Sequence, residues 1–164
     1  MRVFAIDPGN IESAYCVIDA KTLKPLKFGK VENEDLLGMV RDFALPGEAP
    51  ELAVIERIAS YGMAVGRDVF ETCEWLGRFA EAAIEREVPV AYVYRRDEKL
   101  HICGDPRAKD ANIRRALIDR FAMHDMKNGK GTKQKPDWFY GITADVWAAY
   151  AVGLTYIETR MTAL

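Results

Sequence analysis

Short apolar runs separated by turn residues dominate the first part of the chain. Residues 3–6 and 13–19 are such runs, and Pro8-Gly9-Asn10 joins them. A third run, residues 26–31, follows the turn at Lys24-Pro25. Apolar segments of this length bounded by turn residues are typical of strands. The pattern therefore predicts three strands in an antiparallel meander.

Helical periodicity and further strands alternate after the meander. Residues 33–43 predict a short helix, with an inward face of Leu36, Leu37, Val40 and Phe43. Gly47-Glu48-Ala49-Pro50 ends this segment, and residues 52–56 predict a fourth strand. A long helix follows over residues 67–86, and its predicted inward face is Val69, Cys73, Leu76, Ala80 and Ile84. A fifth strand is predicted over residues 89–94.

The last third of the chain predicts two helices joined by a basic loop. Asp105-Pro106 is a helix-start signal, and the helix after it is predicted to bury Ile113, Leu117 and Phe121 before ending near residue 123. Residues 128–136, with two glycines, a proline and three lysines, predict a loop. Thr143 is the predicted cap of a final apolar helix.

Together these elements predict an α/β fold with a five-stranded mixed sheet and helices on both faces. The 164 residues, 49% hydrophobic and 29% charged, are expected to form a single globular domain over residues 1–164. No apolar run reaches the length of a membrane span, and the N-terminus does not resemble a signal peptide. The three cysteines are not spaced for zinc and predict reduced, mostly buried thiols in a cytoplasmic protein.

The net charge of −2 conceals an uneven distribution. Residues 95–135 carry 12 Lys/Arg against six Asp/Glu, whereas residues 1–94 carry ten against 16. A basic third on an acidic body suits a surface that meets phosphates on one side. A solvated helix face with a charged loop would give the same distribution.

Three carboxylates occupy positions where a strand ends or a helix begins. Asp7 and Glu56 close the first and fourth predicted strands, and Asp145 lies in the first turn of the last helix. Ends of neighbouring strands can bring carboxylates together, and such a group requires a hard cation such as Mg²⁺ or Mn²⁺. This pattern indicates metal-assisted phosphoryl chemistry. Each residue also has an ordinary structural explanation, as a turn former, a surface ion-pair partner or a helix-dipole partner.

Several motifs resemble the RuvC family of Holliday-junction resolvases, whose fold is ribonuclease H-like. The resemblance covers most of the chain, and its motifs are specific in their order and spacing rather than singly. They are Phe4-Ala5-Ile6-Asp7-Pro8-Gly9, Ser13 to Ile18, Val54-Ile55-Glu56, Ile102-Cys103-Gly104 with Ala108-Lys109, and Ala144-Asp145 leading into Ala148-Ala149-Tyr150-Ala151.

The resemblance implies hydrolysis of a DNA phosphodiester with two Mg²⁺ ions, for which Mn²⁺ would substitute. Asp7 would bridge the ions, and Glu56 and Asp145 would each complete one shell. Lys109 would stabilise charge on the phosphate. The implied partner is branched DNA, above all a four-way junction. RuvC relatives also pair helices across a twofold axis, and Phe70, Trp75 and Phe79, which lie off the predicted inward face, suggest a homodimer.

One position departs from the RuvC pattern. The family usually has a fourth ligand, Asp or His, three residues before the last aspartate, and this chain has Ile142 there. Asp137 and Glu12 are alternative ligands, although their spacing favours neither. The departure leaves open a weakened or inactive site, in which case the protein would bind junctions without cutting them. A nuclease of the same fold acting on flaps or RNA also stays open.

Contacts with DNA are predicted from basic and aromatic residues. Tyr61, in the glycine-flanked segment after Glu56, is a candidate for insertion into an opened base step, although a buried loop aromatic is an equal alternative. The phosphate-contact candidates are Arg57, Arg67, Lys109, Arg114, Arg115, Lys130, Lys133 and Lys135. The Asp-Pro-Gly hairpin also resembles that of actin-like ATPases, but those need two such domains, and this chain has room for one.

Overall fold

The computed structural model describes residues 1–43, 49–143 and 145–161. Gly47, Glu48 and Ala144, which carry sequence predictions, lie outside these ranges. The strands are β1 (Arg2–Asp7), β2 (Glu12–Asp19), β3 (Pro25–Glu32), β4 (Leu52–Arg57) and β5 (Val90–Tyr94). The helices are α1 (Asn33–Arg41), α2 (Arg67–Glu85), α3 (Arg95–Cys103), α4 (Asp110–Phe121) and α5 (Val146–Tyr156), and a π-helical turn, Ile157–Met161, follows α5.

The five strands form one mixed sheet in the order β3-β2-β1-β4-β5. β1, β2 and β3 pair antiparallel, whereas β1 with β4 and β4 with β5 pair parallel. The predicted meander and mixed five-stranded sheet are confirmed. This order puts β1 at the centre, with the carboxyl ends of β1, β4 and β5 along the same edge.

Helices cover both faces of the sheet, as predicted. Because side chains alternate along a strand, Phe4 and Ile6 pack with α1 and α2 on one face. Val3 and Ala5 pack with α5 on the other. The predicted inward face of α1 is confirmed, since its apolar residues are all buried.

Helix α5 is buried all round, which explains its Ala- and Val-rich sequence. Gly153 allows its close approach to the sheet. A Cβ at this position would lie 2.6 Å from Ile18 Cδ1 and 2.9 Å from Ala5 Cβ, both closer than ordinary contact. The absence of a side chain at Gly153 therefore allows the short distance between α5 and strands β1 and β2.

The predicted inward face of α2 is partly wrong. Cys73 and Ile84 are exposed, whereas Phe79 is completely buried against the sheet. The helix carries two apolar stripes, and the one packed against the sheet contains the large Phe79 ring, whose centroid lies 5.8 Å from that of Trp75. The prediction that the cysteines are mostly buried is only partly correct. Cys16 is buried, Cys103 is half-buried and Cys73 is exposed.

Two helix starts also differ from prediction. Asp105 accepts the backbone N–H of Arg107 at 2.8 Å in a turn, and α4 begins only at Asp110. The N-cap of α5 is Asp145 rather than Thr143. Helix α3 was not predicted at all, because its sequence is mostly charged and has no apolar stripe.

The predicted loop over residues 128–136 is irregular apart from a single bridge between Gly131 and Pro136. Within the described ranges, no helix combines the length and apolarity needed to cross a membrane.

Candidate active site

Two strand ends place Asp7 and Glu56 side by side. Ile6 lies opposite Ile55 in the parallel pair of β1 and β4, so the next residues, Asp7 and Glu56, are neighbours across the sheet. Because side chains alternate along a strand, Asp7 lies on the same face of the sheet as Ala5, and Glu56 lies on the same face as Val54. That face is the one covered by α5. The two carboxyl groups are close enough for the charge of Glu56 to act on Asp7.

Asp145 reaches the same place from the start of α5. A cavity of about 260 Å³ is lined by Asp7, Glu56 and Asp145 together, so the structure brings the three sequence-predicted carboxylates to one site. Lys30 Nζ lies 2.8 Å from Asp145 Oδ2 and 3.3 Å from Glu12 Oε2. Lys30 therefore partly neutralises the acidic edge.

The cavity also has residues that sequence reasoning missed. Arg95, Asp110 and Arg114 line it, on an apolar floor of Ile113, Trp147 and Ala148. Arg114 had been proposed only as a phosphate contact. Arg95 directly follows the end of β5, in the same way that Asp7 is the last residue of β1 and Glu56 the second-last residue of β4. That shared placement at the strand ends was the signal that could have identified it.

Arg95 is the centre of an ion-pair network at this cavity. Its Nη1 lies 2.9 Å from Glu98 Oε2 and 3.7 Å from Glu56 Oε2, and its Nη2 pairs with Asp110. Glu98 is completely buried. Burial acts against the charge of Arg95, but Glu98 and Glu56 outweigh it and raise the pKa of the guanidinium. Arg95 is thus a fixed cation among the carboxylates.

The cations near the cavity do not fully neutralise its carboxyl groups. Burial, followed by the charge of Glu56, raises the pKa of Asp7 to about 8, and Asp145 and Asp110 add to the effect. Burial also raises the pKa of Glu56. Burial and then the charge of Glu56 raise the pKa of Glu98 well above its ordinary range. Such shifts, against the opposing field of Arg95, indicate a site that favours additional cations.

The donor set suits a hard divalent ion. Four carboxylates line one cavity, and oxygen is the ligand that Mg²⁺ and Mn²⁺ prefer. Among the described residues, however, no group of three or more Asp, Glu, His or Cys side chains is arranged to hold an ion as they stand. Arg95 engages Glu56 and Asp110, and Lys30 engages Asp145. Ion binding would require these basic side chains to release the carboxylates.

Comparison with solved structures identifies the fold. The structure of RuvC from Thermus thermophilus matches with a TM-score of 0.67 and 20% identity, covering 99% of this chain and 97% of that one. The chain has the RuvC fold. T. thermophilus RuvC in complex with a Holliday junction substrate matches with a TM-score of 0.68, 20% identity and coverage of 99% and 96%.

A viral resolvase shares the RuvC fold with this chain. The fowlpox virus resolvase in complex with substrate Holliday junction DNA matches with a TM-score of 0.55 and 17% identity, covering 97% of this chain and 98% of that one. No protein-family model matches the chain, and no curated protein sequence matches it significantly. The likeness therefore establishes the fold and not a sequence family.

The fourth ligand position of the RuvC pattern carries no oxygen here. Ile142 is completely buried in the core on the α5 face of the sheet and does not line the cavity. Asp137, one alternative, accepts backbone N–H groups from residues 123, 124, 125 and 138 at 2.7–2.9 Å. Glu12, the other, pairs with Lys30. Neither Asp137 nor Glu12 lines the cavity.

The basic residues proposed for DNA contact have varied surroundings. Lys109 is exposed at the N-cap of α4, next to Asp110, but is not part of the cavity lining. Arg114 lies 5.7 Å from the ring centroid of Trp147, and Arg57 lies 5.0 Å from that of Tyr92. Arg67 and Arg115 pair with acids one helical turn away, Glu71 and Asp119 respectively.

Tyr61 lies in an exposed segment. Its side chain is 55% exposed and that of Met63 is 72% exposed. Tyr61 has a φ of 48°, in the left-handed region, and Gly62 follows with a φ of 82°. The turn projects both side chains into solvent, so the alternative of a buried loop aromatic is wrong.

The lysine-rich loop is organised by two aspartates. Asp137 holds the residues on either side of the loop through the four backbone bonds already described. Asp125 accepts backbone N–H groups from residues 128, 130 and 131 at 2.9–3.2 Å. Lys133 and Lys135 are exposed on this frame, whereas Lys130 is half-buried.

A larger cavity, of about 510 Å³, lies on the α1 face of the sheet. Its described lining is mainly apolar and contains a single carboxylate, Asp42. The carboxylate cavity at the strand ends is therefore the candidate active site.

Proposed function

We propose that this protein is a divalent-metal-dependent endonuclease that cuts four-way DNA junctions in the cytoplasm. The observation that carries the proposal is the convergence of Asp7, Glu56 and Asp145 in one cavity of a RuvC fold. Carboxylates from different elements have little reason to meet in a half-buried cavity unless they share cations.

The residues have distinct roles in this proposal. Asp7, at the end of the central strand, would hold the divalent ions together with Glu56 on the neighbouring strand and Asp145 at the start of α5. When bound, two Mg²⁺ or Mn²⁺ ions would supply an activated water and stabilise the leaving oxygen. Arg114 in the cavity wall and Lys109, the neighbour in sequence of the lining residue Asp110, orient the scissile phosphate and offset its charge.

Branched DNA is the proposed substrate. The two matched resolvases were solved with Holliday junction DNA, and this chain has a basic segment over residues 95–135 that includes the rim of the cavity. The exposed Tyr61 and Met63 are suited to enter an opened base step at the branch point. Lys133 and Lys135 contact the backbone of an arm.

A homodimer would present two such sites to the two opposed strands of a junction. With Phe79 buried in the core, the outer stripe of α2 consists of Phe70, Cys73, Gly77 and Ile84, at spacings of three, four and seven residues. Phe70 is 60% exposed and Ile84 is 56% exposed. A stripe of this spacing fits a twofold helix pair.

The test is cleavage of matched four-way, flap, linear-duplex and RNA–DNA hybrid substrates with Mg²⁺, with Mn²⁺ and with chelator. We expect paired symmetric nicks in the four-way junction that are lost with chelator and in Asp7→Asn, which should still bind the junction. Cutting of flaps or hybrids instead would keep the metal site but reject the junction assignment. Tight junction binding without any cutting would favour the inactive junction-binding protein that Ile142 suggests.

A further inference from the structure

Asp110 lines the cavity at which this chain lacks the fourth ligand of the RuvC pattern. We propose that Asp110 is the fourth carboxylate of the metal site, replacing the ligand that is missing at Ile142. The inference rests on the proposed function, because it concerns the same ions. The cavity lining contains Asp110 together with the three sequence-predicted carboxylates, whereas Ile142 faces the core.

The position of Asp110 fits this role. Its carboxylate lines the same cavity as Asp7, Glu56 and Asp145, and it pairs with Arg95, which also lies 3.7 Å from Glu56 Oε2. The Asp110 side chain is 79% exposed, which leaves room for it to turn towards an ion.

Asp110 is not needed to start its helix. The N-cap of α4 is Lys109, whose backbone N–H is accepted by the Asn112 side chain at 2.9 Å. The ion pair with Arg95 is the contact that holds the Asp110 carboxylate in the described structure. Its carboxylate is therefore available to the cavity once Arg95 releases it.

Glu98 provides a second, independent indication that cations are missing here. It is completely buried behind the cavity, and within the described residues its Oε1 has no hydrogen-bond partner. A buried carboxyl oxygen without a donor is costly. Its other oxygen, Oε2, lies 2.9 Å from Arg95 Nη1, and the same Arg95 contacts Glu56 and Asp110 of the cavity lining.

Arg95 holds the carboxylates in the arrangement described. It contacts Glu56, Glu98 and Asp110 at once. Ions bound to Glu56 and Asp110 would replace the guanidinium at those two groups, while the buried Glu98 retains it. Arg95 would then stay at the edge of the cavity instead of leaving it.

The test is titration of the purified protein with Mn²⁺, followed by calorimetry and by the electron paramagnetic resonance of free Mn²⁺. The matched control is Asp119→Asn, which removes another exposed aspartate of α4, paired with Arg115 instead of Arg95. We expect Asp119→Asn to bind as the parent does, Asp110→Asn to bind at least one ion about tenfold more weakly, and Asp7→Asn to lose both ions.

Each other outcome has a defined meaning. If Asp110→Asn binds Mn²⁺ like Asp119→Asn while Asp7→Asn does not bind it, Asp110 is not a ligand and the proposed function stands. If the parent protein binds no Mn²⁺, both proposals fail. A crystal structure with Mg²⁺ gives a direct readout: an Asp110 oxygen about 2.1 Å from an ion supports the proposal, and an Asp110 still paired with Arg95 beside a bound ion overturns it.

Discussion

Replacing Asp7 with Asn should stabilise the metal-free protein, and increasingly so as the pH rises. The folded protein raises the pKa of Asp7 from 3.8 to about 8, chiefly through burial and the charge of Glu56. Between these values the folded state keeps a proton that the unfolded state loses, so folding stability falls as the pH rises from about 4 to about 8. Asn carries no such titration and keeps nearly the same volume.

The size of the effect follows from the shift. At about 1.4 kcal/mol for each pKa unit, a rise of about four units sets a ceiling of about 5–6 kcal/mol. Water in the cavity and adjustment of Glu56 reduce this, and we expect about 2–3 kcal/mol at pH 8. For a protein of this size that corresponds to a melting temperature about 5–10 °C above that of the parent.

Thermal unfolding followed by circular dichroism, in chelator at pH 5 and pH 8, measures this difference. Asp97→Asn, which neutralises an exposed aspartate on α3, is the matched control and should show no comparable growth of the difference with pH. Addition of Mg²⁺ at pH 8 should raise the melting temperature of the parent and narrow its difference from Asp7→Asn. A difference that is the same at both pH values, or a mutant less stable than the parent at pH 8, would refute the electrostatic reasoning.

Three further substitutions test other parts of the structure. Asp137→Ala leaves four backbone N–H groups without their acceptor, so it should lower the free energy of unfolding in urea by about 3 kcal/mol. Amide hydrogen exchange across residues 123–138 should also become faster, and unchanged exchange would contradict this account of the loop. Gly153→Ala should destabilise the folded protein by about 1–3 kcal/mol, because the new Cβ would lie 2.6 Å from Ile18 Cδ1. At an open helix position the same change would stabilise the protein by up to about 1 kcal/mol, so the sign of the change measured by calorimetry tests the close packing. Phe70→Glu should convert the proposed dimer to a monomer in light scattering with little change in the folded protomer, and a persistent dimer would place the interface elsewhere.

The strands and the pairing of Asp7 with Glu56 were accessible from sequence because both depend on local signals. Apolar runs and turn residues mark the strand ends, and parallel pairing then brings the ends together. The inward face of α2 was not accessible in the same way. Its two apolar stripes are equally regular along the chain, and only packing against the sheet selects the one that contains Phe79.

The network around Arg95 was missed for a different reason. Arg95 and Glu98 lie on a helix without amphipathic periodicity, and Asp110 belongs to the next helix. Their contacts depend on how α3 and α4 meet the sheet edge, which the spacing of residues does not encode. Charged residues without periodicity predict a basic surface, and this prediction does not reveal the buried Glu98.

Under the proposed function, the frame built by Asp125 and Asp137 has a consequence for how tightly DNA would be held. A flexible lysine-rich loop loses conformational entropy when it binds, at about 1–2 kcal/mol for each residue that becomes fixed. Here Asp125 and Asp137 hold the backbone on either side of Lys133 and Lys135, and a bond from the Thr132 N–H to the Lys135 carbonyl closes the turn, so part of that loss has already occurred on folding. Neutralising Asp125 would therefore weaken DNA binding even though it makes the surface more positive. The number of phosphate contacts, and with it the salt dependence of binding, would stay the same.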